Sequence, residues 1–295
     1  MKTNIETKSR VGYQLESVLV SVGKLFVLFA LSLVMSGLMS VQSFAYDKVR
    51  FEATESFKSQ TVLLRANISK PEGEGPFPAV VLMHGCGGWQ APVRMALASY
   101  TDEFVKRGYV VLNLDSFGPR RLTGGKVCAS YKKLREARDY RTQDAFDALA
   151  YLKTQAFVDS DNVFLMGQSN GGSVAINVAN SNRIESGFRA VVAYYPWCGA
   201  FGDDKVELSS PLLVLGGAKD DWVPPQACKS VVSTGAELTV NIYSGAAHSF
   251  DLNIMEQRFQ GNLIGYNQEA AKDGRIKMTE FFSEHIVKAT QLAQN

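Results

Sequence analysis

The stretch Gly167-Gln168-Ser169-Asn170-Gly171 carries the clearest chemistry in the sequence. It fits the pattern G-x-S-x-G, which places a serine at the tip of a tight turn between a strand and a helix. An apolar run precedes the stretch and a helix-like run follows it, as the pattern requires. We therefore predict that Ser169 is a nucleophile for acyl transfer. The alternative interpretation is a glycine-rich turn with an incidental serine.

A serine nucleophile needs an adjacent base, and the chain has only three histidines. His84 lies upstream among glycines, and His285 lies in a terminal helical pattern where a surface position is usual. His248 follows the last apolar strand-like run, and the order Ser, acid, His usually accompanies this turn motif. We predict that His248 is the base, against the alternative of a loop histidine bonded to nearby backbone.

The base needs a carboxylate to orient it. Asp220 and Asp221 follow the apolar run that precedes the last one. We predict Asp220 as the catalytic acid because it lies nearer the end of the strand. Asp221 could instead cap a helix that begins near Pro224. Plain turn chemistry, in which aspartate is common, is the alternative for both residues.

Acyl transfer also needs two N–H groups that stabilise the oxyanion. Asn170, directly after the nucleophile, supplies the first. The second is expected from the glycine-rich segment 84–88, where we predict the N–H of Cys86 as donor and a loop-shaping role for His84. A nucleophilic Cys86 is a weaker alternative, because Cys86 lacks the strand, turn and helix context; a disulfide or a buried thiol is favoured.

Two further residues are candidates for binding a substrate. Arg120, beside Arg121, follows the apolar run that ends near Leu114 and could pair with a substrate carboxylate in bidentate fashion. A surface arginine at a turn is the alternative. Trp222 directly follows the two aspartates and is the second candidate.

The elements that must position these residues show one repeated pattern. Six apolar runs predict buried strands, at 79–83, 109–114, 163–166, 189–195, 211–215 and 238–243. Helical patterns lie between and after them, at 92–107, 136–154, 173–179, 224–232 and 267–293. Alternating runs at 48–53 and 61–68 predict an antiparallel pair in front. We predict one α/β domain over residues 46–295, with a mostly parallel central sheet and helices on both faces.

The N-terminus predicts export. A polar start with lysines precedes an apolar run at 25–41, and Ser43-Phe44-Ala45 offers small residues for a signal peptidase. We predict a signal peptide over residues 1–45, cleaved after Ala45, and a periplasmic or secreted protein. An uncleaved membrane anchor is the alternative, and contact with a membrane is expected only in that case.

Export allows disulfides among the four cysteines. Cys198 and Cys228 follow neighbouring strands, which makes them the preferred pair. Cys86 and Cys128 lie in two other loops at the same edge of the predicted sheet, and we predict them as a second pair. Sequence alone leaves the other pairings open.

Charge and spacing argue against several other classes of function. The chain has 31 Lys and Arg against 29 Asp and Glu, so its net charge is close to zero. It also has no basic cluster that would predict binding to nucleic acid. The histidines are scattered and the cysteines lack paired spacing, so no metal site is predicted. The glycine-rich segments match neither dinucleotide-binding nor P-loop patterns, so no cofactor is predicted.

Several stretches together resemble the dienelactone hydrolase family of α/β-hydrolases, especially its exported members. The resemblance is carried by residues 78–89, 114–120, 166–172, 220–224, 243–251 and 266–273. It implies the α/β-hydrolase fold and places the catalytic acid at Asp220. The founding members carry a cysteine nucleophile where this chain has Ser169, which implies a broader serine esterase acting on a small-molecule ester or lactone. An exported binding protein without turnover is the alternative from another class.

Overall fold

An eight-stranded sheet forms the centre of the computed structural model, which describes residues 46–181 and 187–288. Including two small two-stranded sheets, the strands are β1 Asp47–Glu52, β2 Leu63–Ser69, β3 Phe77–Met83, β4 Val110–Asp115, β5 Val158–Gln168, β6 Val191–Tyr194, β7 Lys205–Val206, β8 Leu212–Gly217, β9 Val232–Ser233, β10 Leu238–Tyr243, β11 Gln257–Phe259 and β12 Asn262–Ile264. The order in the large sheet is β1-β2-β4-β3-β5-β6-β8-β10. Within this large sheet the pairs β1–β2 and β2–β4 are antiparallel, and the other five pairs are parallel.

Helices cover both faces of this sheet. The α-helices are α1 Ala91–Lys106, α2 Gly124–Cys128, α3 Tyr131–Lys153, α4 Asn170–Ala179, α5 Gln226–Ser230 and α6 Gln268–Glu284. One apolar core lies between the sheet and helices α3 and α4, and a second lies between the sheet and helices α1 and α6. Within β3, Val81 joins the first core and Val80 the second, because successive side chains of a strand point to opposite faces. The predicted fold class is confirmed.

The register of the sheet brings five strand ends to one edge. Met83 at the end of β3 lies beside Gly167 in β5, and Gln168 lies beside Tyr194 at the end of β6. Tyr243 at the end of β10 lies beside Gly217 at the end of β8. The loops after these strands therefore open together, as expected for the ligand-binding edge of a parallel sheet.

Some elements differ from their predicted bounds. Helix α3 begins at Tyr131, before the predicted start at 136, because Ser130 caps it by accepting a hydrogen bond from the N–H of Lys133. Helix α6 ends at Glu284, whereas the sequence predicted helix to 293; residues 285–288 are not helical, and 289–293 lie outside the described residues. The predicted helix at 224–232 is only the short α5, because Val232 joins β9 and pairs with Lys205.

The predicted signal peptide and its cleavage after Ala45 lie outside the described residues. Within residues 46–181 and 187–288, no helix is long and apolar enough to cross a membrane.

Candidate active site

Ser169 lies at the turn between β5 and α4, with φ 53° and ψ −115°. Its N–H donates to the carbonyl oxygen of Tyr194 at 2.9 Å, which fixes the turn to the neighbouring strand. The turn is too crowded for side chains at its two glycines. A Cβ at Gly167 would collide with the carbonyl oxygen of Gly171, and one at Gly171 would lie 2.5 Å from that of Met83. The G-x-S-x-G spacing is therefore a packing requirement of this turn.

Three predicted residues form one hydrogen-bonded chain. The hydroxyl of Ser169 donates to Nε2 of His248 at 2.9 Å. Nδ1–H of His248 donates to Oδ2 of Asp220 at 2.7 Å. His248 and Asp220 are buried, with 2% and 3% of their surface exposed, so water does not compete for this contact. The three side chains thus have the mutual geometry that acyl transfer requires of a nucleophile, its base and an orienting carboxylate.

The Asp220 carboxylate is held in place by its own turn. Its second oxygen, Oδ1, accepts the N–H groups of Trp222 at 3.0 Å and Val223 at 2.9 Å. Asp221 points elsewhere, and its oxygens accept the N–H of Leu263 and the guanidinium of Arg258. The cap that the sequence suggested for Asp221 at the following helix is therefore wrong, because its carboxylate binds the β11–β12 hairpin instead.

The β11–β12 hairpin supports His248, and the sequence did not predict it. The N–H of His248 donates to the carbonyl oxygen of Leu263 at 3.3 Å, and the N–H of Gly265 donates to the carbonyl oxygen of His248 at 3.0 Å. Two aromatic rings flank the imidazole: Trp222 at 5.0 Å and Tyr195 at 4.7 Å between ring centroids. Three-residue strands carry no readable periodicity, which is why the hairpin was missed.

The two predicted oxyanion donors flank Ser169. The turn after β3 packs directly on the serine, since a Cβ added at Gly85 would lie 3.1 Å from Cβ of Ser169. Cys86 and Asn170 line the same cavity as Ser169 and His248. Asn170 is the first residue of α4, so its N–H is one that the helix start leaves without an intrahelical acceptor.

Both predicted disulfides are present. Cys86 is bonded to Cys128, which joins the turn after β3 to α2. Cys198 is bonded to Cys228, which joins the turn after β6 to α5. Since Cys86 is in a disulfide, it has no free thiol and the alternative of a cysteine nucleophile at that position is excluded.

Arg120 does not lie where the sequence suggested. It is 6% exposed, and its guanidinium forms two hydrogen bonds, of 2.8 and 2.7 Å, with the carboxylate of Asp144 in α3. It also donates to the carbonyl oxygen of Ser116 and lies 4.2 Å from the ring centroid of Tyr140. The short 3-10 turn Gly118–Arg120 directs the side chain inward, so its carboxylate partner belongs to the protein and not to a substrate.

Two cavities meet at Ser169 and His248. The first, of about 420 Å³, has a mainly apolar and aromatic wall formed by Tyr131, Leu134, Trp197, Trp222 and Val223, with Arg135 and Arg138 at its side. The second, of about 190 Å³, is lined by residues that include Val93, Leu252, Ile254, Phe259 and Ile264. Trp222 lines both, which is compatible with its predicted role in binding a substrate.

Asp251 is a site residue that the sequence reasoning missed. Its buried carboxylate accepts hydrogen bonds from Tyr100 at 2.8 Å, from Gln168 at 2.6 Å and from Tyr195. Burial, with Asp251 as a second cause, raises the pKa of Tyr195 well above its ordinary value, so this hydroxyl remains a donor. The network joins the loop of His248 to Gln168, the residue before Ser169. Its only signal in the sequence is an aspartate three residues after His248.

In the described part of the chain, no group of three or more histidine, cysteine, aspartate or glutamate residues could hold a metal ion.

Residues 64–286 match the family described as the dienelactone hydrolase family. A quorum-quenching protein, AidA, of Acinetobacter baumannii is 31% identical over 148 residues, which is 49% of this chain but only 44% of that protein. A Bradyrhizobium protein named "Probable 2-oxo-3-(5-oxofuran-2-ylidene)propanoate lactonase" is 25% identical over 63% of this chain and 78% of its own length.

Solved structures show the same fold. The crystal structure of a dienelactone hydrolase-like promiscuous phosphotriesterase from metagenomic libraries superposes with a TM-score of 0.63. The match covers 81% of this chain and 98% of that protein at 20% sequence identity.

Proposed function

The chain belongs to the dienelactone hydrolase family, and from that premise we propose that it is a serine hydrolase that cleaves an ester or lactone through a covalent acyl-enzyme on Ser169. The family is one of hydrolases acting on ester and lactone bonds. The observation that carries the proposal is the hydrogen-bonded chain from Ser169 through His248 to Asp220.

The proposed reaction has two halves. His248 takes the proton of Ser169 as its oxygen attacks the substrate carbonyl, and then gives that proton to the leaving alkoxide as the carbon–oxygen bond breaks. Water then attacks the acyl-enzyme with His248 again as base, which releases the acid and restores Ser169. Asp220 holds the imidazole in the required tautomer and stabilises its charged form. The N–H groups of Cys86 and Asn170 stabilise the oxyanion in both halves, a contribution of about 3 kcal/mol per donor.

The shape of the site supports a small-molecule substrate with groups on both sides of the scissile carbonyl. The larger cavity, with its aromatic wall, suits an apolar group, and the smaller cavity suits a compact one. In a lactone, the groups on both sides of the scissile carbonyl belong to one ring. The lactonase name of the Bradyrhizobium relative supports lactones as a substrate class.

A fluorophosphonate probe and a panel of esters and lactones test the proposal. We expect the probe to label the wild-type protein at Ser169, and the panel to contain at least one compound that is turned over. Ser169→Ala should abolish labelling and lower kcat by several orders of magnitude while the fold is retained. Full esterase activity in a folded Ser169→Ala variant would show that the assignment is wrong. If no ester or lactone is hydrolysed, the alternative of a non-catalytic binding protein is favoured.

A further inference from the structure

Arg141 in α3 contacts both segments that carry the oxyanion donors. Its Nη1–H donates to the side-chain oxygen of Asn170 at 2.7 Å. Its Nη2–H donates to the carbonyl oxygen of His84 at 2.6 Å, two residues before Cys86. One planar guanidinium group therefore spans the start of α4 and the turn after β3.

The surroundings of Arg141 differ from those of the other buried arginine beside this helix. Arg141 is fully buried, and no carboxylate of the described residues lies within ion-pair distance of it, whereas Arg120 is paired with Asp144. Burial lowers the pKa of Arg141 to about 10 although the nearby charge of Asp144 opposes this effect, so Arg141 remains a cation at neutral pH. A buried cation without a direct counterion is costly for folding, so a contribution to the site would account for its presence.

Both polar atoms of the Asn170 side chain are held by hydrogen bonds. While its oxygen accepts from Arg141, its Nδ2–H donates to the carbonyl oxygen of Leu134 at 2.9 Å. Leu134 and Arg141 both belong to α3, so this helix holds the residue that follows the nucleophile. Through His84 the same helix also holds the turn that leads to Cys86.

We propose that Arg141 is a positioning residue that sets the spacing between the two oxyanion donors. This inference rests on the proposed function. A guanidinium has a rigid fork of donors, so it can fix two acceptors relative to one another in a way that a single ammonium cannot. The oxyanion exists only in the transition state and the tetrahedral intermediate, so misplaced donors should lower kcat and leave KM almost unchanged.

The test compares Arg141→Lys and Arg141→Met with the wild type on an ester that the wild type hydrolyses. We expect kcat to fall by about 10²-fold, as for loss of one oxyanion donor, with KM changed by less than about threefold. Binding of a trifluoromethyl ketone, which forms an oxyanion on Ser169, should weaken in parallel with kcat/KM. Binding of the corresponding amide, which forms none, should be unchanged.

Arg120→Lys is the matched control, because it removes the fork of the other buried arginine, which contacts Asp144 and neither donor segment. We expect a lower midpoint of urea unfolding with kcat retained. Folding of each variant is checked by near-UV circular dichroism. If Arg141→Met does not fold, Arg141→Lys alone decides the question.

Three results would overturn the inference while leaving the proposed function intact: an unchanged kcat in folded Arg141 variants, a change confined to KM, or an equal loss of kcat in Arg120→Lys. Wild-type protein that neither hydrolyses an ester nor reacts with a fluorophosphonate would overturn both the inference and the proposed function.

Discussion

The carboxylates of Asp220 and Asp221 are neighbours in the chain but have separate partners. Asp220 is buried and accepts from His248, whereas Asp221 is exposed and accepts from Arg258 and Leu263. We expect Asp220→Asn to lower kcat by about 10⁴-fold, because an amide favours the wrong tautomer of the histidine. Asp221→Asn should change kcat by less than about threefold, since exposed ion pairs contribute little. Steady-state kinetics of the two variants decide this, and similar losses in both would contradict the assignment of Asp220.

His84 is a second residue whose surroundings have a measurable consequence. It is fully buried, and burial, with the charge of Arg141 as a second cause, lowers its pKa well below the ordinary value of 6.5. Below pH 6.5 the unfolded chain therefore takes up a proton that the folded protein does not. Since the unfolded state binds more protons, the free energy of unfolding should fall as the pH drops through 6.5, by at most about 1.4 kcal/mol per pH unit from this residue. The decline from this residue ends once the pH is below its folded pKa.

Urea unfolding at pH 7.5, 6.5 and 5.5 measures this contribution. We expect His84→Gln to show a smaller decline in the free energy of unfolding between pH 6.5 and 5.5 than the wild type does. Equal declines in the two proteins would mean that His84 is protonated in the folded state as easily as in the unfolded chain.

At the scale of the elements, the Cys86–Cys128 disulfide joins α2 to the turn after β3, which carries the proposed oxyanion donor Cys86. We expect the double variant Cys86→Ser/Cys128→Ser to lose about 2–4 kcal/mol of stability and also to lose kcat on a short ester such as an acetate, because the turn is no longer fixed. Cys198→Ser/Cys228→Ser is the matched control, since it opens a loop of comparable length that contains neither Cys86 nor Asn170. It should lose similar stability and keep its kcat. Equal kcat in the two double variants would mean that the first disulfide does not hold the donor in place.

Whether the sequence predicted a helix or strand depended on how long a pattern that element leaves in the sequence. The central strands β3, β4 and β5 were predicted because strands buried on both faces are continuous apolar runs. The hairpin β11–β12 and the short α2 were missed because elements of three to five residues show no period.

In the candidate active site, the sequence predicted residues that belong to a recognisable motif and missed residues whose contacts are distant in the chain. The G-x-S-x-G motif led to Ser169, and elimination among three histidines led to His248. The structure places Oγ of Ser169 2.9 Å from Nε2 of His248. The hydrogen-bond partners of Arg120, Arg141 and Asp251 lie 24 to 151 residues away in the chain, apart from the local contact of Arg120 with Ser116. They depend on how α3 and the last loops pack, which local patterns do not reveal.

At the scale of the whole molecule, the layered sheet explains why the candidate active site lies at one edge. Both faces are covered by helices, so the loops at the carboxyl ends of the parallel strands are where polar groups can meet a ligand without disrupting a core. The hydrogen-bonded residues Ser169, Asp220 and His248 come from the loops after β5, β8 and β10, which lie within four consecutive strands of the sheet but are far apart in the chain.

The division into a signal peptide over residues 1–45 and one domain over 46–295 stays a prediction, as does a periplasmic or secreted location. Two disulfides are typical of proteins from an oxidising compartment and support export. We expect N-terminal sequencing of the protein from its native organism to begin at Tyr46. An intact Met1 in the membrane fraction would favour the uncleaved anchor.

The backbone of Ser169 has a consequence for protein engineering. A non-glycine residue at φ 53° and ψ −115° stores roughly 1–3 kcal/mol of conformational strain, which glycine, having no Cβ, largely avoids. Glycine at position 169 would therefore relieve this strain, but it would also remove the hydroxyl group. A library selected for heat resistance alone would tend to accept Ser169→Gly and lose any reactivity that depends on the hydroxyl, so each round of such a selection has to include a screen for turnover.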